Sequence, residues 1–153
     1  MNTLRLAELN AAYAATIDQD RLEAWPDFFT DDCFYKITSA ENHRAGYQAG
    51  IVYADSKAML RDRITALRTA NIYERQSYRH IIGLPLVTSQ GNSVIEAEAP
   101  FLVVRILRGA QTDLFATGIY LDRLHDTSDG LRIAQRIVVC DSSHFDTLLA
   151  IPL

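Results

Sequence analysis

The chain has 153 residues, 48% hydrophobic and 22% charged, the balance of a folded globular domain and not that of a disordered one. Its length suits a single domain, residues 1–153, built around one core. A formal net charge of −4, with no basic cluster interleaved with aromatics, excludes a surface that draws nucleic acid.

The opening stretch MNTLRLAELNAAYAATIDQD has neither a basic start nor an unbroken apolar run, so no secretion signal or membrane span is expected and the cytoplasm is the expected location. Leu6, Leu9, Tyr13, Thr16 and Ile17 fall at three- and four-residue spacing and predict a helix from Thr3 to Ile17 with one buried stripe. Asp18 or Asp20 can cap a second, short helix in DRLEAWPDFFTDD, with Leu22, Trp25, Phe28 and Phe29 on one side and Pro26 placed to kink or restart the turn. CFYKITS is rich in β-formers and predicts a first strand; AENHRAGYQAG reads as a loop or loose helix. In IVYADSKAMLRDRITALRTANIY a brief extended piece leads to a helix opened by Asp55 or Ser56, on which Leu60, Ile64 and Leu67 share a face.

From there the pattern has period two. SYRHIIGLPLVTS, SVIEAEAPFLVVRILRG, TDLFATGIYLDRLHD and GLRIAQRIVVCDSS are separated by the turn-like SQGN, RGAQ and DTSDG, and predict consecutive antiparallel strands of one curved sheet. Such strands need a cover, which the N-terminal helices supply. The fold class is therefore α+β, a cone-shaped barrel with three N-terminal helices packed on a strongly curved, mostly antiparallel sheet.

The side chains that carry chemistry are sparse. His43, His80, His125 and His144 are scattered, and Cys33 and Cys140 sit in apolar settings that suit free buried thiols, so no metal site is expected. No glycine-rich phosphate loop occurs, so no nucleotide cofactor is expected, and Ser142 and Ser143 beside His144 do not build a triad. One constellation remains. Asp31 follows WPDFF at the mouth of the cone, and His80, in YRHIIGLP, can project inward from the first long strand. A carboxylate that fixes an imidazole tautomer makes a general acid or base, which would give a stand-alone lyase or isomerase. The competing reading makes His80 a satisfied polar group of the core, and a third makes the cone a small-molecule-binding module. Tyr13, Trp25, Phe28 and Phe29 read as core, and Arg61, Arg63 and Arg68 as a solvated helix face. Arg105, Arg123 and Arg136 interrupt the strands and suggest a face that docks another protein. The apolar end SSHFDTLLAIPL needs burial, so Ile151, Pro152 and Leu153 either pack on their own barrel or enter a subunit interface.

WPDFFTDDCFYKIT, ADSKAMLRDRITALR, YRHIIGLP, the pair FLVVRIL and DLFATGIYLDRL, and LRIAQRIVVCDSS, in this order and spacing, resemble the small (β) subunit of aromatic-ring-hydroxylating dioxygenases across nearly the whole chain. The resemblance implies the cone shared with nuclear transport factor 2, scytalone dehydratase and ketosteroid isomerase. It also implies a hetero-oligomer of three small and three large subunits, with self-association of the small ones. The large subunit would carry a Rieske 2Fe-2S cluster and a mononuclear Fe(II), fed with electrons from NADH or NADPH by a separate reductase. This chain would hold no cofactor, metal or catalytic residue, and the substrate would be an aromatic carboxylic acid, terephthalate first. In the fold's dehydratase relatives an Asp and a His act inside the cone, and Asp31 and His80 are the positions that could match.

Overall fold

The computed structural model describes residues 2–48, 50–70, 76–107, 111–143 and 151–153. Helix α1 runs Asn2–Asp18 and buries Leu6, Asn10, Tyr13, Thr16 and Ile17, the predicted stripe with Asn10 added. The chain turns through Asp20 at φ 59° into a 3-10 helix, Leu22–Phe28. The cause is local: Leu22, Trp25 and Phe28 recur every three residues, the period a 3-10 helix stacks in line, and Pro26 donates no N–H for a regular α turn.

Strand β1, Phe29–Ser39, starts earlier than CFYKITS predicts and buries Phe29, Cys33, Tyr35 and Ile37 against the core. Ser39 ends it and caps α2, Ala40–Arg44, by accepting the Asn42 N–H at 3.1 Å. β2, Val52–Ala54, precedes α3, Lys57–Ala70, whose first turn is capped by Ser56 Oγ accepting from Met59 N–H at 3.1 Å, with Leu60, Ile64 and Leu67 buried as the spacing predicts.

The remaining strands are β3 Gln76–Ile82, β4 Leu86–Gln90, β5 Val94–Leu107, β6 Gln111–Thr127 and β7 Gly130–Cys140. They join β1 and β2 in one sheet of order β2-β1-β7-β6-β5-β3, with β4 also on β5. Every pairing is antiparallel except β1 with β7. The expected single strand SYRHIIGLPLVTS is thus two strands lying end to end along β5. The break falls at Gly83 to Pro85, because Pro85 has no N–H for the ladder and Gly83 lies hard against Pro100, where an added Cβ would come within 2.7 Å of the ring. The expected α+β cone is the architecture observed.

The helices α1 and α3 cover the concave face of the sheet, and the space between is filled. Tyr13, Trp25, Phe29, Tyr35 and Tyr120 are all 0% exposed and meet edge to face, Trp25 and Tyr35 at 5.1 Å between centroids; Phe101 stacks on Tyr120 at 4.5 Å. Among the described residues no helix is long and apolar enough to cross a membrane.

Candidate functional site

His80 lies on the inner side of β3, with Tyr78, while Arg79 and Ile81 point outward. Its partner is Asp18, the last residue of α1: Oδ2 accepts the His80 backbone N–H at 2.9 Å and Oδ1 meets Nδ1 at 2.7 Å. A carboxylate only accepts, so Nδ1 is the ring nitrogen that donates to Asp18. Nε2 is buried and has no hydrogen-bond partner. The pair is sealed: the side chains are 0% and 3% exposed for His80 and Asp18.

A groove of about 440 Å³ runs between α1 and β3, walled by Ala7, Ala11, Ala14, Ile81 and Leu84, with Asp18 and His80 at its margin. His80 as a residue is 5% exposed while its side chain is 0% exposed, so only its backbone reaches this groove. A molecule bound there does not touch the imidazole.

Asp31, expected opposite His80, is elsewhere. Its side chain is 97% exposed and 3.4 Å from Lys57 Nζ. The reason is the irregularity of β1 between Phe29 and Phe34, which keeps those two rows paired with β7 and swings Asp31 and Asp32 out into solvent. The Asp31–His80 constellation is therefore corrected to Asp18–His80, and Asp18 escapes notice in the sequence because it reads as a cap. A sequence signal exists: a carboxylate closing a helix at its C-terminus opposes the macrodipole, which favours a compensating donor beside it.

The base of the cone holds a second polar cluster. Arg136, 0% exposed, donates from Nε and Nη2 to both oxygens of Asp122 at 2.8 and 2.7 Å, and from Nη2 to Asn10 Oδ1 at 2.7 Å. Its guanidinium lies between the rings of Tyr13 and Tyr120, 4.4 and 4.1 Å from their centroids. Burial opposes its charge, but Asp122 outweighs burial and the group is held more basic than usual. Arg105 is also buried, over Phe115 at 4.8 Å and 3.4 Å from Asp113. Neither arginine belongs to an outward docking face; Arg123, paired with Glu96 at 3.1 Å, is the one of the three on the surface. Ile151, Pro152 and Leu153 are likewise buried within this chain. Asn10 and Asp122 were missed in the sequence, although Asp122 shares its inward row with Tyr120 and Leu124 and sits directly opposite Arg136.

Cys33 and Cys140 are free and buried. Ser39 pairs with Cys140, so Cys33 lies six residues back along β1, roughly 20 Å at strand rise. Burial holds both thiols protonated, Cys33 pushed up to about 11 and Cys140 to about 12. His144 lies outside the described residues. Among the described residues no group of His, Cys, Asp and Glu could hold a metal ion. The donor set does not fit an iron-sulfur cluster.

A cone closed by its own aromatic side chains, with an ion pair at its base and the Asp18–His80 dyad sealed from solvent, is the architecture the described residues build. The chain belongs to the ring hydroxylating beta subunit family, whose profile matches residues 12–147. It is 52% identical over its whole length, and 99% of the relative, to the terephthalate 1,2-dioxygenase terminal oxygenase component subunit beta 1 of a Comamonas species. It is 39% identical to the anthranilate 1,2-dioxygenase small subunit of Burkholderia cepacia over 95% of this chain and 90% of that one. A crystal structure from Novosphingobium aromaticivorans, assigned as the beta subunit of an aromatic-ring-hydroxylating dioxygenase, superposes with a TM-score of 0.92 at 36% identity, covering 99% of this chain and 97% of that one.

Proposed function

We propose that this chain is the non-catalytic small subunit of a terephthalate-hydroxylating dioxygenase and works by shaping and holding the oxygenase. In this reading it assembles with a large subunit, three of each, in the cytoplasm. The large subunit carries the Rieske cluster and the mononuclear iron, and a reductase supplies electrons from NADH or NADPH. The substrate and the pairing with a large subunit come from the full-length relative named for terephthalate and for a terminal oxygenase component. The observation that carries the structural role is the filled cone: the space where a cone-fold enzyme would hold a substrate contains Tyr13, Tyr35, Trp25, Tyr120 and Leu153, all 0% exposed.

The fold also leaves a surface for subunit contact. On the face of the sheet opposite α1 and α3, Leu102, Val104, Ile119, Leu121 and Ile137 stand side by side, half-buried. A sheet face that met only water would alternate to polar side chains there. Arg123 and Glu96 mark its polar margin, as expected of an interface rim.

The test is reconstitution. Dihydroxylation of terephthalate is expected from this chain combined with its large subunit, the reductase, NADH or NADPH and O2, and is expected to be absent when this chain replaces the assembled pair. The His80→Ala and Asp18→Asn variants, once assembled, should keep product formation per complex. Turnover by the isolated chain that disappears in His80→Ala would replace this reading with the lyase or isomerase one.

A further inference from the structure

The end of the chain sits in the cone the way a bound molecule would. Leu153 is 0% and Ile151 6% exposed. The main-chain oxygen of Leu153 accepts from the hydroxyls of Tyr13 and Tyr35, 2.8 Å each, and its N–H donates to Tyr35 Oη at 3.2 Å. These hydroxyls come from α1 and β1, and both tyrosines are 0% exposed. A cavity built for packing alone would carry phenylalanine at such positions, because a buried hydroxyl without an acceptor costs stability. The lining holds more donors than Leu153 uses. Tyr120 Oη and the Trp25 indole N–H are buried with no hydrogen-bond partner. The walls around these donors are the edge-to-face rings of Trp25, Phe29 and Tyr35.

We propose that the interior of the cone is a binding socket whose resident occupant is the chain's own segment Ile151 to Leu153. When that segment is removed, the socket takes a short peptide end or small acid that joins a branched apolar group to an acceptor oxygen. The oxygen rests on the Tyr13 and Tyr35 hydroxyls and the apolar group lies among Trp25 and Phe29. This holds whether or not the chain works in an oxygenase, since every group involved belongs to this chain.

Thermal unfolding of the full chain and of a chain ending at Ala150 should be followed with and without the free tripeptide Ile-Pro-Leu. The shortened chain is expected to melt lower and to regain stability saturably with peptide at about millimolar concentration, while the full chain does not respond. Adding Tyr13→Phe to the shortened chain should weaken the peptide about three- to tenfold, the effect of one hydrogen bond. A shortened chain that folds and ignores the peptide overturns the proposal. If the shortened chain does not fold, full-length Leu153→Ala, whose main-chain oxygen still holds the Tyr13 and Tyr35 hydroxyls, is measured with isobutane, which refills the apolar part of the socket alone. Saturable recovery supports the socket, and no recovery overturns it.

Discussion

Arg136 and Asp122 illustrate what a single residue does in this core. With Arg136 0% and Asp122 3% exposed at the side chain, each charge is tolerated because the other is there. Arg136→Met strips Asp122 of its cation in a dry site and should cost about 3–5 kcal/mol. Combining it with Asp122→Leu should return much of that loss, because the stranded charge goes with its partner; denaturant melts of the single and double variants measure the difference. A double variant destabilised by the sum of the Arg136→Met and Asp122→Leu losses would show that the pair is not coupled. Burial has a further consequence for pH. It raises the folded-state values of Cys33, Cys140, Tyr35 and Tyr120 above their ordinary ones, so the folded chain keeps protons that the unfolded chain releases. Stability from these groups is whole below pH 9, the ordinary thiol value, and drains away as pH climbs toward about 11 and 12. Melting temperature should fall across that window, and replacing both cysteines by alanine should shallow the fall. At this scale the sequence was least legible: it assigned Asp31 to His80 where the partner is Asp18, because Asp18 reads as the cap of the following helix. Only the third dimension brings the end of α1 under β3.

The elements themselves were largely legible, since apolar period and cap chemistry act locally. Leu60, Ile64 and Leu67 with Ser56 foretold α3, and β5, β6 and β7 follow the alternation read from the sequence. The misses have steric causes that alternation does not register. Apolar residues continue on both sides of the β3–β4 break, so hydrophobicity alone runs through Pro85, and the three-residue period of Leu22, Trp25 and Phe28 is easily absorbed into an α-helical stripe. Gly118 is another position where sterics decide. It pairs with Cys140 in the middle of the sheet, and a Cβ there would lie 2.0 Å from the Val139 carbonyl oxygen and 2.9 Å from its carbon. Those are backbone atoms that cannot rotate away, so Gly118→Ala must part β6 from β7. A loss of about 2–3 kcal/mol is expected, seen in urea melts, together with faster amide exchange in both strands. A variant as stable as the parent would mean that the two strands slide past one another freely.

For the molecule as a whole, a cone filled from within moves the working surface to its outside. The inward row of β6 is occupied by Tyr120, Asp122 and Leu124, all buried, so what β6 presents to a partner is Ile119, Leu121 and Arg123. Leu121 sits between Glu98 of β5 and Ile137 of β7, and this allows a substitution that separates folding from assembly. Leu121→Lys places an ammonium directly across from Glu98, a cross-strand pair of opposite sign that contributes about 0.2–1 kcal/mol. The isolated chain should therefore melt within about 1 kcal/mol of the parent. In an interface the same lysine would have to leave water beside Leu102, Ile119 and Ile137, and desolvating a charge costs more than Glu98 returns at a partly exposed site. Sedimentation of the variant, alone and with the large subunit, should show association weakened at least about tenfold, equivalent to about 1.4 kcal/mol. Arg123→Ala, at the margin, should change assembly less, as rim contacts do. Assembly equal to the parent's at every protein concentration would place subunit contact on another face of the cone, and the groove between α1 and β3 would be the next surface to alter.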